Sequence, residues 1–307
     1  MVKLSTPLIG DDLLRKLIIT GVILVLGGCF ISQAFVQFAG GARDEPLDLS
    51  DQFPAQSDGE SRQLGLFPDG LPAFISSGGV FQPEKTIFNI SLTLGGLLFA
   101  GLAIEQYLRI NSRNQSIISQ NRASSDNKSS KDKKTGQLES NPVVTSGSIG
   151  VHWFRRAANF IQLISGVVLG LSLVMLTRFP FNEDIITHIL FASLIFQSIV
   201  VYTAAMAAAR GQIDEGVRWK NWSVTKIRWV MFGLAIISYQ AMIFFITTDQ
   251  IPLSALFEWT LTFSVQGTVL TLLITLNAPR PITASSTINN EISNEAISQT
   301  PVAATTK

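Results

Sequence analysis

Residues 185–209 read Ile185-Ile-Thr-His-Ile-Leu-Phe-Ala-Ser-Leu-Ile-Phe-Gln-Ser-Ile-Val-Val-Tyr-Thr-Ala-Ala-Met-Ala-Ala-Ala209, a run of 25 residues without Asp, Glu, Lys or Arg. As a helix it would be about 37 Å long at 1.5 Å per residue, enough to cross the roughly 30 Å hydrocarbon core of a bilayer. Five further apolar stretches of about 20 residues or more accompany it, at about 17–38, 86–110, 157–177, 229–248 and 251–276. One such stretch alone could be a helix buried in a soluble core. Six of them in 307 residues leave too little polar sequence to wrap that core. The expected fold is all-α: a polytopic membrane protein whose six-helix transmembrane bundle occupies 1–277, followed by a disordered tail, 278–307.

Composition agrees and removes several classes of chemistry. Hydrophobic residues make up 47% of the chain, charged residues 15%, and mean hydropathy is +0.33. A soluble domain carries about 25% charged residues. Cys29 is the only cysteine, so an intramolecular disulfide and a Cys-rich zinc site are both excluded. With His152 and His188 as the only histidines, a His-rich metal site is excluded too. No HExxH, GxSxG or P-loop pattern occurs, and no cofactor or metal is expected. The first apolar run is too long for a signal-peptide core and lacks a small-residue cleavage site, so it reads as a retained first helix. The expected partners are membrane lipids and other membrane proteins, and not nucleic acid.

Charge sets the expected orientation. Of the 23 Lys and Arg, 19 lie in the N-terminus, in 109–156, in 210–228 and in the tail. The alternate loops hold only Arg43, Arg62, Lys85 and Arg178. Positive loops favour the cytoplasmic side, which predicts both termini inside. Trp153, Trp219, Trp222 and Trp229 then fall near the cytoplasmic interface, where amphipathic rings are favoured. The loop 40–85 is placed outside, and the Ser/Asn/Lys-rich segment 111–151 reads as a disordered cytoplasmic linker. The chain carries its own reporters, because Asn114-Gln-Ser116 and Asn127-Lys-Ser129 are glycosylation sequons within that linker. Expressed in a eukaryotic secretory pathway, both should stay unmodified. Endoglycosidase-sensitive sugar on either asparagine contradicts the orientation.

Ionisable residues within the hydrocarbon are the first place to look for function. Glu105 lies four residues before Arg109 near one end of its stretch, an i, i+4 pair within reach of the interface. Glu258 lies deeper, about 10 Å inside the last stretch. Ser254, Glu258, Thr262 and Gln266 recur every four residues and form a polar stripe that should face the bundle. His188 lies about one turn inside the fourth stretch, just after Asp184, at a depth within roughly 6 Å of Glu258. Glu258 reads either as neutral, donating a hydrogen bond to His188 or Asn159, or as ionised and paired with a protonated His188, and both readings stay open. His188 reads either as a packing histidine or as a proton-relay group, and both readings stay open. Gly166 and Gly170 form a GxxxG spacing that lets two helices approach closely. An inverted-repeat transporter has little support, since no repeat or broken helix is apparent.

Three segments, taken in order, resemble the DRAM/Frag/Sfk family, which includes damage-regulated autophagy modulators and factors for GPI-anchor lipid remodelling. The first is Phe74-Ile-Ser-Ser-Gly-Gly-Val-Phe-Gln-Pro-Glu-Lys-Thr-Ile-Phe88. It is similar to the family's segment through Ile75, Ser76, Gly79, Pro83, Glu84 and Phe88, with Ser77 at the usual Asp position. The second is Asn159 with Gly166 and Gly170, followed by His188. The third is the Glu258-Trp259 pair. The resemblance implies a six-helix membrane protein, either a non-enzymatic modulator of membrane traffic, autophagy or lipid distribution, or a lipid-remodelling enzyme or subunit that works on GPI-type acyl chains. For the second, the candidate catalytic residues are Glu258, His188 and Asp184. The resemblance implies residence in an endomembrane or plasma membrane in a eukaryote, and in the cell membrane in a prokaryote. A segment 75–88 that packs as an ordered lid on the outer helix ends is expected, with Pro83 at the helix start.

Overall fold

The computed structural model describes residues 7–38, 74–135 and 147–278, other than Gln212, Glu215 and Asp249. Six of its helices are long and apolar enough to cross a membrane: Asp11–Phe38, Glu84–Ser116, Trp153–Leu176, Ile185–Arg210, Val224–Thr247 and Pro252–Asn277. The chain divides after Leu276, and the unit Asn277–Lys307 lies outside the described residues except for its first two. So do most of the acidic loop, 40–73, and residues 136–146.

The first span starts earlier than hydropathy alone predicts. Helix α1 (Asp11–Val22) opens with Asp11 and Asp12, whose charges complement the positive end of a helix. A π-helical turn, Ile23–Gly27, joins it to α2 (Gly28–Phe38). A π turn inserts one residue into the α repeat and rotates the helix beyond it. Leu14, Ile18 and Gly21 are buried before it, and Cys29, Ser32, Gln33 and Val36 after it. The insertion thus brings polar Gln33 inside.

Helix α3 (Glu84–Thr135) runs on through most of the segment that composition reads as a disordered linker. Of 111–151, residues 111–135 and 147–151 are helical. No Gly or Pro occurs between Gly101 and Gly136. A helix already nucleated in the span extends through such residues without a second nucleation cost. Helix α4 (Gly147–Leu176) presses on α3 through its glycines. A Cβ on Gly170 would lie 2.8 Å from Ala100 N, and one on Gly166 2.5 Å from Ala103 Cβ. Any side chain at either position would drive the helices apart, which is the reason for the GxxxG spacing.

Asp184 caps helix α5 (Ile185–Arg210), its side chain accepting from Thr187 N at 3.0 Å. A two-residue hairpin, β1 (Arg218–Trp219) and β2 (Trp222–Ser223), turns through Lys220 at φ 51° and leads into α6 (Val224–Thr247). Helix α7 (Ile251–Asn277) completes the bundle. The close pairs are α3 with α4, α4 with α5 and α5 with α6. A core of Leu14, Ile18, Phe99, Ala103, Leu169, Met206, Leu261 and Val265 fills the centre. The outer faces carry large apolar residues, among them Phe160, Ile186 and Ile237, while Gln162, Gln266 and Thr268 are buried. Polar inside and apolar outside is the distribution that suits hydrocarbon as solvent.

Candidate functional site at the lid end of the bundle

A 3-10 turn, Ile75–Gly79, follows Phe74 and closes one end of the bundle. Its fit depends on two glycines. A Cβ on Gly78 would lie 2.5 Å from Ser32 Oγ, and one on Gly79 2.9 Å from the Phe88 ring. Phe74 and Val80 pack with Phe181, Ile185 and Ala255, which seats the turn on α5 and α7. Helix α3 starts at Glu84, directly after Pro83, with Glu84 fully buried. Lys85 Nζ lies 2.6 Å from Glu183 Oε1 and ties the start of α3 to the loop before α5. Residues 74–88 therefore form a lid packed on α2, α5 and α7.

Two buried side chains hold the lid by its backbone. Gln33 Nε2 donates to Phe74 O at 2.7 Å and lies 2.9 Å from Ser77 Oγ. Glu258 Oε2 accepts from Ile75 N at 2.8 Å. A backbone amide entering a short turn in an apolar setting needs an acceptor, and the α7 carboxyl supplies it. This replaces the expected Glu258 contact with His188 or Asn159. Trp259, next in sequence, stacks on Phe30 with centroids 4.9 Å apart and belongs to a cluster with Val25, Cys29, Ile75 and Phe88.

His188 Nδ1 lies 2.8 Å from Phe179 O. A carbonyl can only accept, so Nδ1 carries a proton, and Nε2 is the ring nitrogen left for another partner. His188 and Glu258 share a cavity of about 290 Å³ between α5 and α6, closed by Phe74 and Ser76 of the lid. Ile189, Ile243 and Ile246 line it and are partly exposed on the outer face of the bundle, so the cavity opens sideways between the two helices. A smaller space of about 50 Å³ lies deeper, between Cys29, Leu173 and Thr262, and shares Ser76, Phe196 and Glu258 with the larger one. Asp184 lines neither cavity. The Thr187 amide holds its carboxyl below the usual carboxylate range, and its role is that of a helix cap.

The remaining motif residues lie elsewhere. Asn159 Nδ2 donates to Tyr107 O at 3.1 Å, towards the far end of α3, and Gly166 packs against Ala103 and the Tyr202 ring. That far end holds a charged cluster that hydropathy does not reveal. Asp214 receives Arg210 Nε at 2.8 Å and Arg228 Nη1 at 2.6 Å. Arg210 also reaches Gln106 and Thr275, and Arg228 reaches Thr271. Both arginines and Asp214 are buried, and Arg228 is wholly inaccessible. The cluster ties α3, α5, α6 and α7 together. Beside it, Glu105 accepts from Arg109 at 2.6 Å, as the i, i+4 spacing indicates, and from Leu8 N at 2.9 Å.

Among the described residues no group of three or more His, Cys, Asp or Glu side chains is arranged to hold a metal ion. Neither a curated protein nor a solved structure matches the chain. A family model, the Frag1/DRAM/Sfk1/Cwh43P N-terminal domain, matches residues 49–277. That match takes in the lid, all of the spans but the first, and the Glu258-Trp259 pair. With its six apolar helices, this multi-pass integral membrane protein belongs to the Frag1/DRAM/Sfk1/Cwh43P family.

Proposed function

We infer that the protein is a non-enzymatic modulator of lipid distribution and membrane traffic, which acts by holding a lipid in the cavity at the lid end. The observation that carries this reading is the division of labour among the candidate catalytic residues. Glu258 supports the lid backbone, His188 is oriented by Phe179, and Asp184 caps a helix. No nucleophile–base–orienter chain links them among the described residues, while the cavity that Glu258 and His188 border is mostly apolar and opens towards the surrounding hydrocarbon. With both termini cytoplasmic, as the basic loops favour, the lid and cavity belong to the outer half of the bundle.

Lipidomic analysis of membranes with and without the protein, combined with a leaflet-accessibility assay, tests the reading. The expected result is a changed distribution of existing lipids between leaflets with acyl composition unaltered. New acyl species that vanish in Glu258→Gln would replace the modulator with a lipid-remodelling enzyme, since Gln keeps the acceptor for Ile75 and removes only the acid.

A further inference from the structure

The lid-end cavity ends in two polar atoms without a protein partner among the described residues. Glu258 uses Oε2 for the Ile75 amide and leaves Oε1, and His188 uses Nδ1 for the Phe179 carbonyl and leaves Nε2. Both side chains are more than nine-tenths buried, at 6% and 5% exposure. The uncommitted atom of each has only a ligand or water in the cavity to satisfy it. Around them the walls are Phe181, Ala192, Phe196, Met242 and Ile246, and no Lys or Arg lines the space.

We propose that this cavity binds a neutral, hydroxyl-headed acyl lipid, its chain between α5 and α6 and its hydroxyl between His188 Nε2 and Glu258 Oε1. The assignment rests on the lipid-holding reading above and names its ligand. A hydroxyl is both donor and acceptor, so it satisfies a lone pair on either atom and also accepts from either when that atom carries a proton. A carboxylate or phosphate head would be desolvated beside Glu258 with no fixed cation in the walls to pair it. The sideways opening past Ile189, Ile243 and Ile246 gives a chain entry from the membrane without crossing the lid. At about 290 Å³ the cavity is at the small end of ligand pockets, which suits one chain rather than two.

The test uses the full-length protein in nanodiscs and three photoactivatable probes with the same diazirine-bearing chain: a monoacylglycerol, a fatty acid and a lysophosphatidate. Labelled peptides are mapped by mass spectrometry. The monoacylglycerol should label 185–196 or 239–246 about ten-fold more than either acid, the worth of one or two net hydrogen bonds. His188→Asn keeps a donor for Phe179 O and removes the Nε2 acceptor, and should lower that labelling several-fold with the lid still protease-resistant. Glu258→Gln should admit the fatty acid. Ala192→Phe fills the space and should abolish labelling by all three. Equal labelling by the three probes, still blocked by Ala192→Phe, overturns the head-group assignment and leaves the lipid-holding reading standing. No labelling of these peptides by any probe overturns both.

Discussion

Asp214→Ala should destabilise the bundle by about 3–5 kcal/mol, the usual cost of removing one partner from a buried ion pair. Asp214 stands between Arg210 and Arg228, both of which donate to it, and all three are buried. Without the carboxylate two guanidinium groups remain in the interior, with Gln106, Thr271 and Thr275 as their remaining side-chain acceptors among the described residues. Arg228→Met should cost less, because Asp214 keeps Arg210 and the Met side chain fills much of the same volume. Thermal unfolding of the purified protein measures both. A melting point lowered by roughly 10 °C is expected for Asp214→Ala. A smaller loss for Asp214→Ala than for Arg228→Met would contradict this account of the network.

The pH dependence of this effect has a definite sign. Burial alone would raise the Asp214 carboxyl, but the charges and hydrogen bonds of Arg210 and Arg228 outweigh burial and hold it below its ordinary value of 3.8. A carboxyl lowered in the folded state contributes stability that is complete above its unfolded pKa and is lost as pH falls through the folded one. The gap between the parent and Asp214→Ala should therefore be constant at neutral and mildly acidic pH. It should narrow only as pH drops below about 3.8.

Glu258→Leu is the second substitution expected to have a large effect, and its consequence is local. It leaves Ile75 N buried without an acceptor, at about 1–3 kcal/mol, whereas Glu258→Gln retains a carbonyl oxygen for that amide. The lid should open in the Leu variant and stay closed in the Gln variant. Limited digestion with a broad-specificity protease, scored by cleavage within 76–85, reads the difference directly. The parent and Gln variant should resist and the Leu variant should be cut rapidly. A Leu variant as resistant as the parent, or a parent cut at once, would refute the role assigned to this carboxyl.

Several parts of the architecture are legible in local pattern because the bilayer imposes a local rule. An apolar run of about 20 residues must satisfy its own backbone, and only a helix does so. The six runs, the close approach at Gly166 and Gly170, and the Glu105–Arg109 pair all depend on spacing along one segment. The bundle-facing stripe on α7 is legible for the same reason: Ser254, Glu258 and Gln266 recur at helical period and are buried, with Thr262 half-buried. The helical course of 111–135 was hidden because polar composition argues for solvation and says little about backbone conformation once a helix is already nucleated.

Composition and period within single segments thus specify the class of molecule, its spans and the residues worth suspicion. Which of those residues meet is a matter of packing between segments. Glu258 meets the Ile75 amide from 183 positions away, and Gln33 reaches the same turn because a π-helical insertion rotates it inward. Arg228, which the sequence counts only among the basic residues of 210–228, is buried against Asp214. Such partnerships arise where helices distant in the chain bring unsatisfied groups into one dry space, and no spacing along a single helix encodes that encounter.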